Sequence, residues 1–310
     1  MSQAHPQPLL TRRRFMHLVA GAAAAGVLGI GSALPSPAAG GISLEYQVNA
    51  YIKQLRRTGR IPSDERTAWS VYDFTTAHKL VSINEDRPFQ AASMIKPFLA
   101  QAYFFRHRAD KRRYPYDKRV RLKMERMIRN SDNSAANFFI NRIASNRPVS
   151  QRPREVERVL KCYAGGIFQQ TSIVEFIPHS GRSYRNRASA HDYSRFLYAI
   201  FTNRLPYAGE IKHYMGLPNR DRIQDGAAGV PRNVKVYHKT GTTAHLCGDM
   251  GVLEAKGRNG KRYYYSFIGI VQKDDRPRDY GCWMRDRGNV IREVSGIVYK
   301  FMRRRHKLIA

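Results

Sequence analysis

Strand-like stretches occur only toward the two ends of this 310-residue chain, and helical stretches fill the middle. Over residues 44–57, Leu44, Val48, Tyr51, Ile52 and Leu55 recur at helical spacing, and Gly59 and Pro62 close the element. The stretch "TAWSVYDFTTAHKLVSIN" then reads as strand, polar turn, strand. Near the other end, "VKVYHKTGT", "CGDMGVLEA" and "RYYYSFIGIVQ" read as three strands, the last two joined by the turn "GRNGK". A closing helix over 288–302 lines up Val290, Ile291, Val294, Ile297, Val298 and Phe301. Between these ends, helices are expected over 94–106, up to about Arg129, from Ser131 onward and over 191–204. Residues 150–190, with Gly165, Gly166, Pro178 and Gly181, read as irregular. Strands need partners, so the two ends are expected to share one sheet while the middle forms a helical lobe. That is one interrupted α+β domain, with its sheet lobe from about 40–92 and 205–310 and its helical lobe at about 93–204. The cleft between the lobes is the natural ligand site.

Charge and the N-terminus bear on where such a domain works. Lys and Arg number 54 against 24 Asp and Glu, a formal net charge of +30. This balance favours attraction to polyanions such as an anionic envelope. The basic runs "RHRADKRR", "RPREVERVLK" and "RRRHK" carry no zinc-finger or RNA-binding signature, so no specific nucleic-acid partner is expected. Residues 11–17, "TRRRFMH", precede the weakly apolar run Leu18–Leu34 and the small-residue stretch "PSPAAGG". A basic head, apolar segment and small-residue site over 1–39 describe a twin-arginine-type export signal, either cleaved near Ala38 or Ala39 or kept as an anchor. Periplasmic or other exported location is the expectation, and cleavage would remove three arginines and no acids, leaving +27. Cys162, Cys247 and Cys282 allow one disulfide plus a free thiol, or three separate thiols. His245 near Cys247 lacks the spaced partners of a zinc site, and neither a metal nor another cofactor is expected.

Three short polar motifs carry the chemistry. Ser93 and Lys96 in "SMIK" are three apart, so hydroxyl and amine share a helical face. Pro97 belongs in a first helical turn, which sets Ser93 at the start of the helix, at the positive end of its dipole. A lysine withdrawn from water there could lose its proton readily and act as base toward the serine. Ser131-Asp132-Asn133 lies between two helices, and Lys239-Thr240-Gly241 ends a strand. Taken singly, these are also what helix caps and a solvated strand end look like.

Together and in this order, S-x-x-K, S-D-N and K-T-G resemble the serine β-lactamase and penicillin-binding superfamily, most of all its class A branch. The likeness runs over nearly all of 44–305. It includes "WSVYDFTTAHKLVSINEDRPFQAASMIK", "RNSDNSAANFF" and "VYHKTGTT". The resemblance implies a three-layer sandwich, an antiparallel sheet flanked by helices, with an all-helical lobe and the active site in the cleft. It makes Ser93 the acylated nucleophile, Lys96 its proton acceptor and Ser131 the relay to the leaving nitrogen. Asn133 would hold the substrate's amide side chain. Lys239, Thr240 and Gly241 would line the carboxylate side, and the backbone N–H groups of Ser93 and Thr242 would form the oxyanion hole. The implied ligand is a β-lactam or a peptide ending in D-alanyl-D-alanine.

Release of the acyl group separates the readings. Class A enzymes use a loop glutamate acting through a water. Residues 165–190 contain one carboxylate, Glu175 in "SIVEFIPHSG", and His179 stands where the pattern expects Asn. The gap between Ser93 and Ser131 is also short for class A, which would open the cleft to bulkier substrates. The leading expectation is a class A-like β-lactamase with Glu175 as deacylation base. The alternatives are a D-alanyl-D-alanine peptidase or related peptidoglycan hydrolase, and a binder of cell-wall peptide or β-lactam without turnover.

Overall fold

The computed structural model describes residues 42–178 and 184–309. The export segment at 1–39 and His179 lie outside the described residues. No described helix is long and apolar enough to cross a membrane.

Helix α1, Leu44–Arg57, starts at Ser43, whose hydroxyl accepts from the Tyr46 N–H. Glu45 in the first turn and Arg56 and Arg57 in the last complement its dipole. Strands β1 (Glu65–Asp73) and β2 (His78–Ile83) form the first hairpin, followed by the two-residue strand β3 (Phe89–Gln90). A 3₁₀ turn, Ala92–Ile95, runs into α2, Lys96–Ala109. Then come α3 (Lys118–Ile128), α4 (Asn133–Ile143), α5 (Arg152–Ala164), strand β4 (Arg187–Ala188), α6 (Ala190–Phe201) and α7 (Ala208–Met215). Strands β5 (Lys235–Thr242), β6 (Leu246–Lys256) and β7 (Arg262–Lys273) and helix α8 (Tyr280–His306) complete the chain.

The five long strands form one antiparallel sheet in the order β2–β1–β7–β6–β5, so β7 from one end of the chain pairs with β1 from the other. Side-chain alternation divides the core. Trp69, Val71, Tyr265, Phe267 and Val271 face α1 and α8, while Ala68, Ile268, Ile270, Met250 and Val252 face the helical lobe. With both faces covered, β6 is buried at every residue but its last, Asp249 and Glu254 included. Helix α2 is the axis of the helical lobe: Phe98 packs edge-on against Phe168 and Phe196, and Tyr103 against Phe139. This is the α+β sandwich that the sequence implied.

Two helices were not legible. Residues 152–164, read as irregular, form α5, and α7 went unrecognised. In α5 the buried apolar stripe of Val156, Val159, Leu160 and Ala164 is hidden among charges that pair along the helix, such as Glu157 with Lys161 at 2.7 Å. Helix α8 starts at Tyr280 rather than 288, with Asp279 accepting from the Cys282 N–H and the buried Trp283 adding an apolar contact ahead of the charged run Arg285–Arg287.

Candidate active site

The turn that carries Ser93 is gripped from both sides. Ala92 has φ 48°, a left-handed conformation that costs an alanine about 1–2 kcal/mol and persists only where the surroundings impose it. The Ala92 carbonyl accepts from the buried Tyr184 hydroxyl at 2.7 Å, and the Ala91 carbonyl from Tyr193 at 3.2 Å. On the other side β5 approaches so closely that a Cβ on Gly241 would lie 2.8 Å from Met94 Cγ and 3.1 Å from Ala92 Cβ. This is the physical reason for the glycine of the K-T-G motif. Gly241→Ala is expected to push β5 off the turn that carries Ser93 and lower the rate of covalent labelling by a fluorescent penicillin about 100-fold, as an ångström-scale misplacement does. Circular dichroism would establish that the variant remains folded.

Helix α2 begins at Lys96, so Ser93 sits one turn ahead of it, with Pro97 in the first helical turn. Lys96 is fully buried, and its Nζ is surrounded by four oxygens: Ser93 Oγ at 3.0 Å, Ser131 O at 2.5 Å, Ser131 Oγ at 3.2 Å and Asn133 Oδ1 at 2.7 Å. No carboxylate hydrogen-bonds to it among the described residues. Burial, reinforced by the nearby Lys239 charge, brings its pKa down to about 6. A neutral amine has two N–H bonds and one lone pair. Ser131 O and Asn133 Oδ1 can only accept, so they take the two N–H bonds and leave the lone pair for a serine hydroxyl. Asn133 is oriented for this because its Nδ2 donates to Pro178 O at 3.1 Å.

The S-D-N motif divides its work among three residues. Asp132 caps α4 by accepting from the Ala135 N–H at 2.9 Å and pairs with Arg126 at 2.7 Å. These contacts, the cap first, hold its carboxyl below the usual range. Ser131, held at φ 58°, presents its hydroxyl to Lys239 Nζ at 3.0 Å. Asn133 and Asn137, one turn apart on α4, hold the loop. Asn137 donates to Ile177 O at 2.9 Å and accepts from its N–H at 2.8 Å.

Lys239 is buried rather than solvated, only 1% exposed, and its pKa falls to about 8. Burial is the main cause, the Asp249 carboxylate works against it, and Arg222 adds to it. Asp249 lies opposite Thr240 on β6 and accepts the Arg222 N–H at 2.7 Å. Arg222 donates to Gly248 O at 2.8 Å and Thr242 Oγ1 at 3.0 Å. Neither residue was singled out from the sequence: Asp249 sits in an apolar strand, and Arg222 in a loop without a motif. Thr240 is half-buried and Thr242 exposed at the end of β5.

Ser93, Lys96, Ser131, Asn133 and Lys239 thus form one hydrogen-bonded cluster, with Thr240, Gly241 and Thr242 on the adjoining strand end. Glu175 is engaged elsewhere. Its Oε1 accepts the Arg185 N–H at 2.6 Å and its Oε2 the Arg185 Nε–H at 2.7 Å. No hydrogen bond joins it to Ser93, Lys96 or Asn133 among the described residues. The three cysteines are free thiols, Cys247 buried and Cys162 and Cys282 exposed, and burial raises Cys247 to about 11.

An antiparallel sheet between helical layers, with a serine–lysine pair at the mouth of the helical lobe, defines a protein of the active-site-serine β-lactamase and penicillin-binding class. Residues 111–302 match the Beta-lactamase enzyme family, and the chain belongs to it. That match contains the S-D-N and K-T-G motifs but starts after Ser93 and Lys96, which the fold brings to them. No curated protein sequence matches the chain. Among solved structures, PBP-A is similar over 84% of this chain and 96% of its own, at 20% identity and a TM-score of 0.64. The TLA-1 extended-spectrum β-lactamase is similar over 84% and 98%, at 14% identity and a TM-score of 0.64. A β-lactamase from Chitinophaga pinensis is similar over 83% and 99%, at 14% identity and a TM-score of 0.63. At these identities the likeness is one of fold.

Proposed function

We propose that the protein is an acyl-serine hydrolase that β-lactams acylate at Ser93 and then leave slowly, with a peptidoglycan peptide as its own substrate. The observation that carries the acylation step is Lys96, buried, with its Nζ 3.0 Å from Ser93 Oγ and its other near neighbours acceptor oxygens. Ser93 Oγ adds to the carbonyl carbon while its proton passes to Lys96 Nζ. The oxyanion is held by the Ser93 and Thr242 backbone N–H groups. The C–N bond then breaks as Ser131 hands its proton to the nitrogen and regains one from protonated Lys96 Nζ, 3.2 Å from its hydroxyl, while Lys239 keeps that hydroxyl polarised and faces the substrate carboxylate. Water later adds to the ester, releasing the acid and restoring the Ser93 hydroxyl.

Slow release follows from Glu175. A carboxylate engaged twice by Arg185 is a poor base for a water at Ser93. Glu175→Gln is therefore expected to leave turnover of a chromogenic cephalosporin within about threefold of the wild type, which itself turns over slowly after a stoichiometric burst. Fast wild-type turnover that Glu175→Gln removes would make the protein a class A-like β-lactamase instead. The acyl-enzyme complex of a PBP-A mutant with penicillin G illustrates such an adduct on the same fold, in that protein. We place the mature protein outside the cytoplasm, delivered by the twin-arginine segment. Its excess positive charge would favour salt-dependent residence on an anionic envelope.

A further inference from the structure

A cavity of about 600 Å³ opens beside the cluster, lined by Arg129, Ser131, Arg220, Arg222, Thr240 and Arg292 among others. Ser131 and Thr240 on its wall place it on the side of the scissile bond from which the amine departs. It is far larger than one carboxylate requires, and it carries four guanidinium groups.

The local acids do not cancel this charge. Asp221, the one acid in the lining, accepts the N–H groups of Ile223, Gln224 and Asp225 through one oxygen, at 2.7, 2.6 and 2.9 Å, a turn inside its own loop. Arg129 has Glu125 at 3.0 Å. Arg292 is fixed by Asp225 O at 2.5 Å, Asp221 O at 3.2 Å and Asn289 Oδ1 at 3.2 Å, none of them a charged partner. The Arg222 guanidinium is likewise held by uncharged atoms, the oxygens of Gly248 and Thr242 and the Met284 sulfur. The Arg220 guanidinium is exposed, with no hydrogen bond or ion pair among the described residues. Asn219 Nδ2 donates to Arg129 O at 2.5 Å, which ties the loop bearing Arg220 to the end of α3. Of the four cations, Arg222 reaches Thr242 on the strand end, Arg292 is fixed to backbone, and Arg220 and Arg129 lie on the two segments that Asn219 ties together.

We propose that the departing group of the substrate carries two anionic groups, as an amino-dicarboxylate does, the first bound beside Arg222 and Thr240 and the second by Arg220 and Arg129. This rests on the acyl-serine reading above. A bidentate guanidinium–carboxylate contact in a partly enclosed cavity is strong enough to dominate the choice of leaving group.

Two thioesters of N-benzoylglycine test it, one with mercaptoacetate as leaving group and one with mercaptosuccinate, read by release of free thiol. Both form the same benzoylglycyl ester on Ser93, so deacylation is common to them and any difference in kcat/KM belongs to the departing group. In each, the Ser93 O–C bond forms, the C–S bond breaks and the thiol leaves with a proton from Ser131. The wild type is expected to favour the mercaptosuccinyl ester about tenfold at low ionic strength, with the preference shrinking as salt is added. Arg220→Gln should bring the ratio to within about threefold, while Lys53→Gln, which removes an exposed charge on α1, should retain it. A wild-type ratio near one, or a preference that Arg220→Gln leaves intact or that Lys53→Gln abolishes equally, would overturn the dianion proposal and leave the acyl-serine reading standing. Absence of Ser93-dependent cleavage of both esters would overturn the two together.

Discussion

Ser93→Ala is expected to abolish covalent labelling by a fluorescent penicillin and to lower thioester hydrolysis about 10⁴-fold or more, to the level of the bare site. The side chain is small, and among the described residues its hydroxyl bonds to Lys96 alone, so the fold should be unaffected. The variant keeps the rest of the cluster, and reversible binding should survive. Loss of labelling with retained binding separates a nucleophile from a residue that merely caps a helix. Labelling that persists in Ser93→Ala would mean that another group attacks.

Lys96→Ala is expected to lower the acylation rate by about 10²–10⁴-fold, the usual contribution of a positioned general base. Burial also gives this residue a pH signature. Deprotonated Lys96 is the working form and its pKa is about 6, so the acylation rate of the wild type should rise with pH through about 6. Protonated Lys239 is the other working form and its pKa is about 8, so the rate should fall as pH passes about 8. At pH 7 about nine in ten molecules carry each residue in its working form. In Lys96→Ala the acid limb should vanish while the alkaline limb stays, a change that a purely structural role for Lys96 would not produce.

The sequence revealed most where geometry is local. The three-residue spacing from Ser93 to Lys96, with Pro97 behind it, fixed the relation of hydroxyl to amine before any tertiary contact was known. The confinement of strands to the ends likewise required β1 and β7 to share a sheet, and they pair over Glu65–Asp73. What escaped depends on distant residues. The burial of Lys239 is a property of the cleft, since a strand-end lysine carries no local sign of it. Arg222 and Asp249 are 27 residues apart and meet only because the loop before β5 folds back over β6. The engagement of Glu175 by Arg185 needs the chain to turn between them, and no periodicity marks that turn. Helix α5 was lost for a different reason: six charges in thirteen residues, RPREVERVLKCYA, outweighed a short apolar stripe.

The central claim is that Lys96 is a neutral amine at physiological pH, with its lone pair on Ser93. NMR of protein carrying ¹³C at lysine Cε tests it most directly, with the Lys96 signal assigned by its loss in Lys96→Ala. One lysine, Lys96, is expected to titrate near pH 6 and a second, Lys239, near pH 8. A Lys96 signal that stays protonated up to pH 10 would contradict it.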